Sequence, residues 1–325
     1  MKPNSNRRIH YLRLSVTDAC NLRCIYCMPE TMTFRPQPEL MQDAEILRLA
    51  RIFARLGFDK FRLTGGEPTL RENIVELVRG VAAVPGVRET IMTTNGTTLT
   101  HLAQPLAGAG LRRINIRLDT LNPDKFTKMS RRGRLENVLD GIAAAEAAGL
   151  SIKLNAVVVR GFNNAEDAVE LARLTLTRPW QVRFLEVMPI GRISDFQRSA
   201  IVGEEELRQT IESALGPLEL LNDGRLDGEA RLYTLDGAPG RIGFISSVTR
   251  PFCGGCARAR LTADGRLRLC LLHEKEIPLL DPLRAGADDD EIEAIIEDGL
   301  RLKPAAHNLD AGVIPLNRVM SEIGG

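Results

Sequence analysis

The sequence predicts an α/β chain, an incomplete (β/α)6 barrel followed by a smaller C-terminal α+β domain. Three observations carry that expectation. Strand-like and amphipathic helical runs alternate six times between Tyr11 and Gly216, the order that builds a parallel sheet with crossover helices. The strands are apolar on one face and polar, largely basic, on the other, whereas a closed eight-stranded barrel fills its interior with branched apolar side chains. Beyond Pro217 the runs shorten and are separated by Asn222-Asp223-Gly224, Asp227-Gly228 and Asp236-Gly237, which are hairpin signals. Domains are therefore expected at 1–216 and 217–325, and a length of 325 residues accommodates about two domains of roughly 150 residues each. A doubly wound open sheet is the alternative arrangement.

Strands are expected near 11–16, 59–64, 88–94, 112–118, 151–159 and 181–188, and helices near 40–56, 72–83, 98–108, 134–148, 164–176 and 203–215. Gly57, Gly149 and Gly216 stand where helices commonly stop. At period two, Leu12, Leu14 and Val16 alternate with Tyr11, Arg13 and Ser15, and Phe61 and Leu63 with Arg62 and Thr64. The same holds for Ile114, Ile116 and Leu118 against Arg113, Asn115 and Arg117, for Ile152, Leu154 and Ala156 against Lys153 and Asn155, and for Val182 and Phe184 against Gln181 and Arg183. The apolar face belongs against the helices. The polar face is left to line a cavity suited to something anionic. Any one arginine here reads as a surface ion pair; their recurrence on one face favours the cavity.

Overall charge is nearly balanced, 43 basic against 42 acidic residues for a net +1, which excludes a global attraction to nucleic acid or an anionic membrane. No apolar run reaches about 18 residues, and Met1 to Asn6 is short and polar. Neither secretion nor membrane insertion is expected, and the expected location is cytoplasmic.

The six cysteines form two triplets, Cys20, Cys24, Cys27 and Cys253, Cys256, Cys270. In a reducing compartment that partition reads as two metal centres rather than disulfides. The first triplet follows a strand directly with C-x3-C-x2-C spacing. Three thiolates hold three corners of a 4Fe-4S cubane and leave the fourth iron open, whereas passive electron carriers normally close it with a fourth cysteine. Structural zinc wants four ligands, and the nearest histidine, His10, stands at no familiar zinc spacing. In the second triplet, Cys253 and Cys256 flank Gly-Gly, and Cys270 follows the turn Ala263-Asp264-Gly265. With His273 these three could equally form a Cys3His zinc site, so on spacing alone zinc and iron–sulfur stand level. Arg258 and Arg260 point to one side if they lie on a strand, suited to phosphate or simply to acidic partners.

Between the second strand and its helix lies Thr64-Gly65-Gly66-Glu67-Pro68, whose glycines let backbone amides approach a ligand and whose carboxylate could bind an ammonium group. Thr93-Thr94-Asn95-Gly96 ends the third strand with a turn signal at the mouth where barrel sites form.

The cysteine triplet with Tyr26 before its last member, together with Gly65-Gly66-Glu67, resembles the radical S-adenosylmethionine (SAM) superfamily, whose fold is an incomplete TIM-type barrel. Within it the chain resembles the GTP 3′,8-cyclase family from end to end. Matching stretches are Leu12 to Asp18, Arg62 to Pro68, Met92 to Gly96, Ile114-Asn115, Lys153 to Val157 and Phe184 to Gly191. The C-terminal part adds Cys253 to Arg260, Cys270, Lys303-Pro304, His307 and the final Gly324-Gly325.

The resemblance implies two 4Fe-4S clusters, on Cys20, Cys24, Cys27 and on Cys253, Cys256, Cys270, with SAM as cofactor and GTP as substrate. It implies SAM contacts at Tyr26, Gly66, Glu67, Met188 and the Arg117 position. Arg13, Arg62, Thr93, Lys153, Arg258 and Arg260 match GTP-contacting positions, and Arg258, Arg260, Gly324 and Gly325 match catalytic ones. The implied reaction begins with a 5′-deoxyadenosyl radical that takes hydrogen from the ribose C3′; C3′ then attacks guanine C8, in the first step of molybdenum cofactor synthesis. A homodimer and hand-off to cyclic pyranopterin monophosphate synthase are also implied. Three departures stand out: Arg117 where serine is usual, Ala257 where asparagine is usual, and Thr69 where leucine is usual. The long Arg117 cation is expected to find an anion, either a SAM carboxylate or Glu186, or to turn away.

Overall fold

The computed structural model describes residues 7–191, 194–309 and 314–324. Six parallel strands lie side by side in chain order: β1 (Tyr11–Ser15), β2 (Lys60–Thr64), β3 (Glu89–Thr94), β4 (Arg113–Arg117), β5 (Ser151–Val158) and β6 (Gln181–Glu186). Crossovers are made by α1 (Asp43–Arg55), α2 (Ile74–Ala82), α3 (Leu99–Gly108), α4 (Pro123–Ser130) with α5 (Leu135–Ala147), and α6 (Glu166–Arg173). After β6 come α7 (Ser194–Ser199) and α8 (Glu204–Leu215). The remainder holds β7 (Glu219–Leu220), β8 (Arg231–Thr234), β9 (Arg241–Ile245), β10 (Arg258–Leu261), β11 (Arg266–Arg268), β12 (Glu276–Pro278), α9 (Leu280–Arg284) and α10 (Asp289–Arg301).

All the strands join one sheet in the order β12-β11-β10-β1-β2-β3-β4-β5-β6-β9-β8-β7. β10 pairs parallel to β1 and β9 parallel to β6, so residues after 216 supply a strand to each margin of the six-unit core. Antiparallel β11–β12 and β8–β7 extend the two margins. Among the described residues the end strands do not meet, and the barrel stays open.

The expected strands and six crossover helices are present with slightly trimmed ends. Within residues 1–216 two short helices, α4 and α7, were not expected. The first is set by Asn122, whose side chain accepts the Lys125 N–H at 3.0 Å, with Pro123 in the first helical position, a favoured start signal. α1 begins at Asp43 rather than 40 because Glu45 accepts the Gln42 N–H at 2.6 Å in a capping box.

β5 shows how the alternation works: Ile152, Leu154, Ala156 and Val158 are buried, while Lys153, Asn155 and Val157 on the other face are partly open. The buried row packs in the main core with Leu171, Ile142 and Val138 from the helices. α1 contributes Ile46, Leu49, Ile52 and Phe53, the last edge-on to Phe58 at 5.0 Å. Each such side chain stabilises the fold by about 1.5–3 kcal/mol. On the inner face the register sets Arg13 opposite both Arg62 and Arg260, Tyr11 opposite Arg258, Thr93 opposite Asn115, and Asn155 opposite Arg183. Among the described residues no helix is long and apolar enough to cross a membrane.

Candidate active site

One cavity is lined by residues at and beyond the C-terminal ends of the parallel strands, and all six cysteines open onto it, although Cys20 and Cys270 are separated by most of the chain. Cys20, Cys24 and Cys27 lie on the loop after β1. That loop is pinned to the end of α4, where Arg23 N–H donates to Ser130 O at 2.9 Å and Ile25 N–H to Met129 O at 3.0 Å. Tyr26 is buried and donates its hydroxyl to Asp119 at 2.9 Å, while the other Asp119 oxygen accepts the Val157 N–H. Burial and the neighbouring Cys24 push the Cys20 thiol up to about 12; metal coordination deprotonates such thiols outright.

The Gly65-Gly66 turn is built for closeness to that loop. Gly65 has φ +147°, and a Cβ on Gly66 would lie 2.2 Å from Ala19 O. The Gly66 N–H donates to Thr17 O at 2.9 Å and the Glu67 N–H to Ala19 O at 2.8 Å. These two amides, expected to face a ligand, instead tie the turn to the approach of the cysteine loop. Glu67 is buried and accepts from Thr69 N–H, Thr69 Oγ1, Thr94 Oγ1 and Asn95 N–H. Its carboxylate braces the ends of β2 and β3, and Thr69, one of the three departures, is part of that brace.

Arg117 has found its anion. Its Nε donates to Asp119 at 2.5 Å, its Nη1 to Cys24 Sγ at 2.6 Å, and its guanidinium stands over the Tyr26 ring at 5.4 Å. Glu186, the alternative partner, is taken by the Val248 and Thr249 N–H groups and the Thr249 hydroxyl.

The second triplet sits around β10. Cys253 lies in the turn Cys253–Gly255, Cys256 just before β10, and Cys270 just after β11. Lys303 clamps the two strands, donating to Arg258 O at 2.7 Å and Leu269 O at 2.5 Å. Burial pushes the Cys256 thiol up, but Arg258 and Lys303 outweigh it and bring it to about 6, in favour of a thiolate ligand. His273, the fourth member of the zinc alternative, turns its ring to Ala306 O at 3.2 Å. Among the described residues no three His, Cys, Asp or Glu side chains converge as the ligands of a single ion would. Each triplet supplies three soft thiol donors, the ligand type that iron–sulfur groups take.

Arg13, Arg62, Thr93, Arg258 and Arg260 line the same cavity, as do Tyr26, Gly66, Glu67, Arg117 and Met188. Arg62 is buried, lies over Tyr11 at 5.1 Å, and makes no hydrogen bond or ion pair with its guanidinium among the described residues. Burial and the repulsion of Arg13 and Arg258 push Arg260 well below the ordinary guanidinium value, a strain that an anion relieves. Arg260 donates to the carbonyls of Gly324 and Ile323, which brings the tail to the site; Met320 and Ser321 line the cavity. Gly325 lies outside the described residues. Lys153 is not part of the lining: it is tied to Asp227 at 2.6 Å.

Among the lining residues given no site role from the sequence are Arg183, Asn155 and Glu229, the first two already placed on the polar face by their period-two positions. Arg183, on the inner face of β6, donates to Asn155 at 2.9 Å and Asn115 at 2.9 Å; its period-two position was the available signal. Asn155 carried the same signal. Glu229, which receives Arg13 at 2.9 Å and Arg258 at 2.6 Å, sits in a turn-rich stretch and gave none.

An open parallel barrel with a thiol triplet beyond its first strand and a glycine-rich turn beyond its second defines a radical SAM enzyme. The pattern described as Radical SAM superfamily matches residues 14–174, and that described as Molybdenum Cofactor Synthesis C matches 180–309. The chain is 45% identical to a GTP 3′,8-cyclase of Moorella thermoacetica and 44% identical to one of Pelotomaculum thermopropionicum, each over all of both chains. It is 42% identical to one of Pseudomonas entomophila over 98% of this chain and 96% of that one. The chain belongs to the GTP 3′,8-cyclase family. Superfamily membership implies a 4Fe-4S cluster and SAM as cofactors. Among solved structures, SuiB of Streptococcus suis bound to precursor peptide SuiA covers 99% of this chain and 72% of its own, with TM-score 0.65 and 13% identity. Native anSMEcpe with bound AdoMet covers 93% and 82%, with TM-score 0.55 and 14% identity. These two likenesses concern the fold alone.

Proposed function

We propose that this chain converts GTP to (8S)-3′,8-cyclo-7,8-dihydroguanosine 5′-triphosphate, the first step of molybdenum cofactor synthesis. The observation that carries the reading is that two thiol triplets and a row of buried guanidiniums open onto one cavity. Cys20, Cys24 and Cys27 would hold one 4Fe-4S cluster and Cys253, Cys256 and Cys270 a second. When bound, the first cluster supplies the electron that cleaves SAM and so begins radical chemistry at the ribose.

The chain's own residues bind, orient and shield. Tyr26, Gly66, Met188 and Arg117 form the wall on the SAM side, with Glu67 bracing the turn. Arg62, Arg13, Arg258 and Arg260 neutralise the triphosphate, and Thr93 reaches the nucleotide from β3. Guanidiniums suit this because their planar donor forks match phosphate oxygens. Lys153 joins them only by leaving Asp227. Arg260 holds the Gly324 carbonyl, and Gly324 and Gly325 are assigned, with Arg258 and Arg260, a part in catalysis on the strength of the family match. Residues 1–216 would form the radical SAM partial barrel, which also supplies Arg13, Arg62 and Thr93 to the nucleotide, and 217–325 the domain that carries the second cluster together with Arg258 and Arg260. The cytoplasm, a homodimer and hand-off of the product to cyclic pyranopterin monophosphate synthase complete the proposal.

Anaerobic reconstitution tests it. Iron and sulfide of about eight each per chain, 5′-deoxyadenosine formation stimulated by GTP, and a cyclised nucleotide by mass analysis are expected. Cys24→Ser is expected to abolish SAM cleavage, whereas Arg260→Ala keeps uncoupled cleavage and mainly weakens GTP use. One cluster plus zinc, or equal loss of cleavage in both variants, overturns the assignment.

A further inference from the structure

Glu229 precedes β8 and places a buried carboxylate, 5% exposed, in the guanidinium row. Its Oε1 takes Arg13 and Arg258 together, at 2.9 and 2.6 Å. Arg62 and Arg183 add to the positive field around it, and all five side chains line the one cavity. Four guanidiniums in a poorly hydrated basin repel one another strongly, because charges interact far more in low dielectric than in water. A single carboxylate offsets that repulsion without any ligand.

We propose that Glu229 is an internal counter-anion that holds the phosphate-binding arginines in the absence of nucleotide, and that incoming phosphates must displace it or bind against its repulsion. The proposal rests on the GTP reading and deepens it. Arg13 and Arg258 each spend a donor on Glu229, and Arg183 spends two on the Asn155 and Asn115 carbonyl oxygens. Arg62, with no such contact among the described residues, is then the first partner for an entering phosphate. The opposition from Glu229 grows with ligand charge, so it is greatest for a triphosphate and nil for the nucleoside. Glu229 thereby weakens retention of nucleotide and narrows the affinity gap between triphosphate and monophosphate.

The test is equilibrium binding of GTP, GMP, guanosine and inorganic tripolyphosphate to the reconstituted wild-type and Glu229→Gln proteins, with thermal melts of both. In Glu229→Gln, GTP and tripolyphosphate are expected to bind at least about tenfold tighter, about 1.4 kcal/mol, GMP to gain less, and guanosine to be unchanged. The ligand-free variant is expected to melt lower, and tripolyphosphate to raise its melting point more than that of wild type. Equal or weaker GTP and tripolyphosphate binding with unchanged guanosine binding overturns the proposal and leaves Glu229 a structural brace. A variant that folds neither alone nor with tripolyphosphate also counts against it. A wild-type protein that binds no guanine nucleotide sinks the cyclase reading instead, and the tripolyphosphate comparison then decides the role of Glu229 by itself.

Discussion

The Arg117 guanidinium donates through Nη1 to Sγ of Cys24, 2.6 Å away, while its Nε holds the fully buried Asp119. A cation directed at a ligating sulfur stabilises the more reduced, more negative state of an iron–sulfur group. Arg117→Ser is therefore expected to lower the midpoint potential of the cluster that Cys24 is proposed to hold, read by redox titration followed by electron paramagnetic resonance. Arg117→Lys, which keeps the charge, should recover part of the shift. Removing the partner of a buried carboxylate should also cost about 3 kcal/mol of stability, measured by denaturant melts. An unchanged potential in Arg117→Ser would show that the contact does not reach the cluster.

Arg62 separates stability from binding. Its buried guanidinium has no hydrogen-bonding partner among the described residues, so Arg62→Met should leave the melting temperature of the ligand-free protein equal or higher. GTP binding should weaken by about 1.5–3 kcal/mol, the worth of a hydrogen bond to a charged group. A large fall in stability with intact GTP affinity would place Arg62 in the fold rather than in the site.

Gly66 tests the union of turn and cysteine loop. A methyl group there would meet the backbone carbonyl of Ala19 at 2.2 Å, and no flexible side chain can yield. Gly66→Ala is expected to destabilise the chain by about 1–3 kcal/mol, as overpacking does, and to lower the iron retained by the cluster proposed at Cys20, Cys24 and Cys27. Full iron content at wild-type stability would contradict the packing described.

Lys153 gives a dependence on pH. Burial, then Arg183, lowers its ammonium from 10.5 to about 8, with Asp227 pulling the other way. The folded state therefore binds fewer protons than the unfolded state between about 8 and 10.5, and stability from this group rises with pH across that window. Below 8 the full penalty is present. Lys153→Met should accordingly be more stable than wild type at pH 7, by up to about 3 kcal/mol, with the difference shrinking as pH climbs from 8 toward 10. A difference that stays constant with pH would remove the burial penalty as its cause.

Much of this architecture was legible because it rests on periodicity. The β5 row Ile152, Leu154, Ala156, Val158 announces one buried face, and the same reading puts Arg13 and Arg62 on the opposite face; Arg260 joins them only through the pairing of β10 with β1. The cysteine spacings likewise carry their chemistry in the chain. What stayed hidden depends on contacts between distant residues. No local pattern says that Glu67 is consumed by Thr69, Thr94 and Asn95, that Lys153 is held by Asp227, or that Glu229 enters the arginine row. Arg117 was recognised as a cation in need of a partner; only the fold chose Asp119.

The pairing of β10 with β1 and of β9 with β6 also bears on biogenesis. While residues 11–186 emerge from the ribosome, both rims of the nascent sheet present unpaired amides and carbonyls, a recognised hazard for self-association. Translation must run past Leu261 before β10 can seal the first rim, and that same event carries Cys256 toward the loop of Cys24. A polypeptide released early therefore has sticky margins and lacks Cys253, Cys256 and Cys270, half of the thiols that line the cavity.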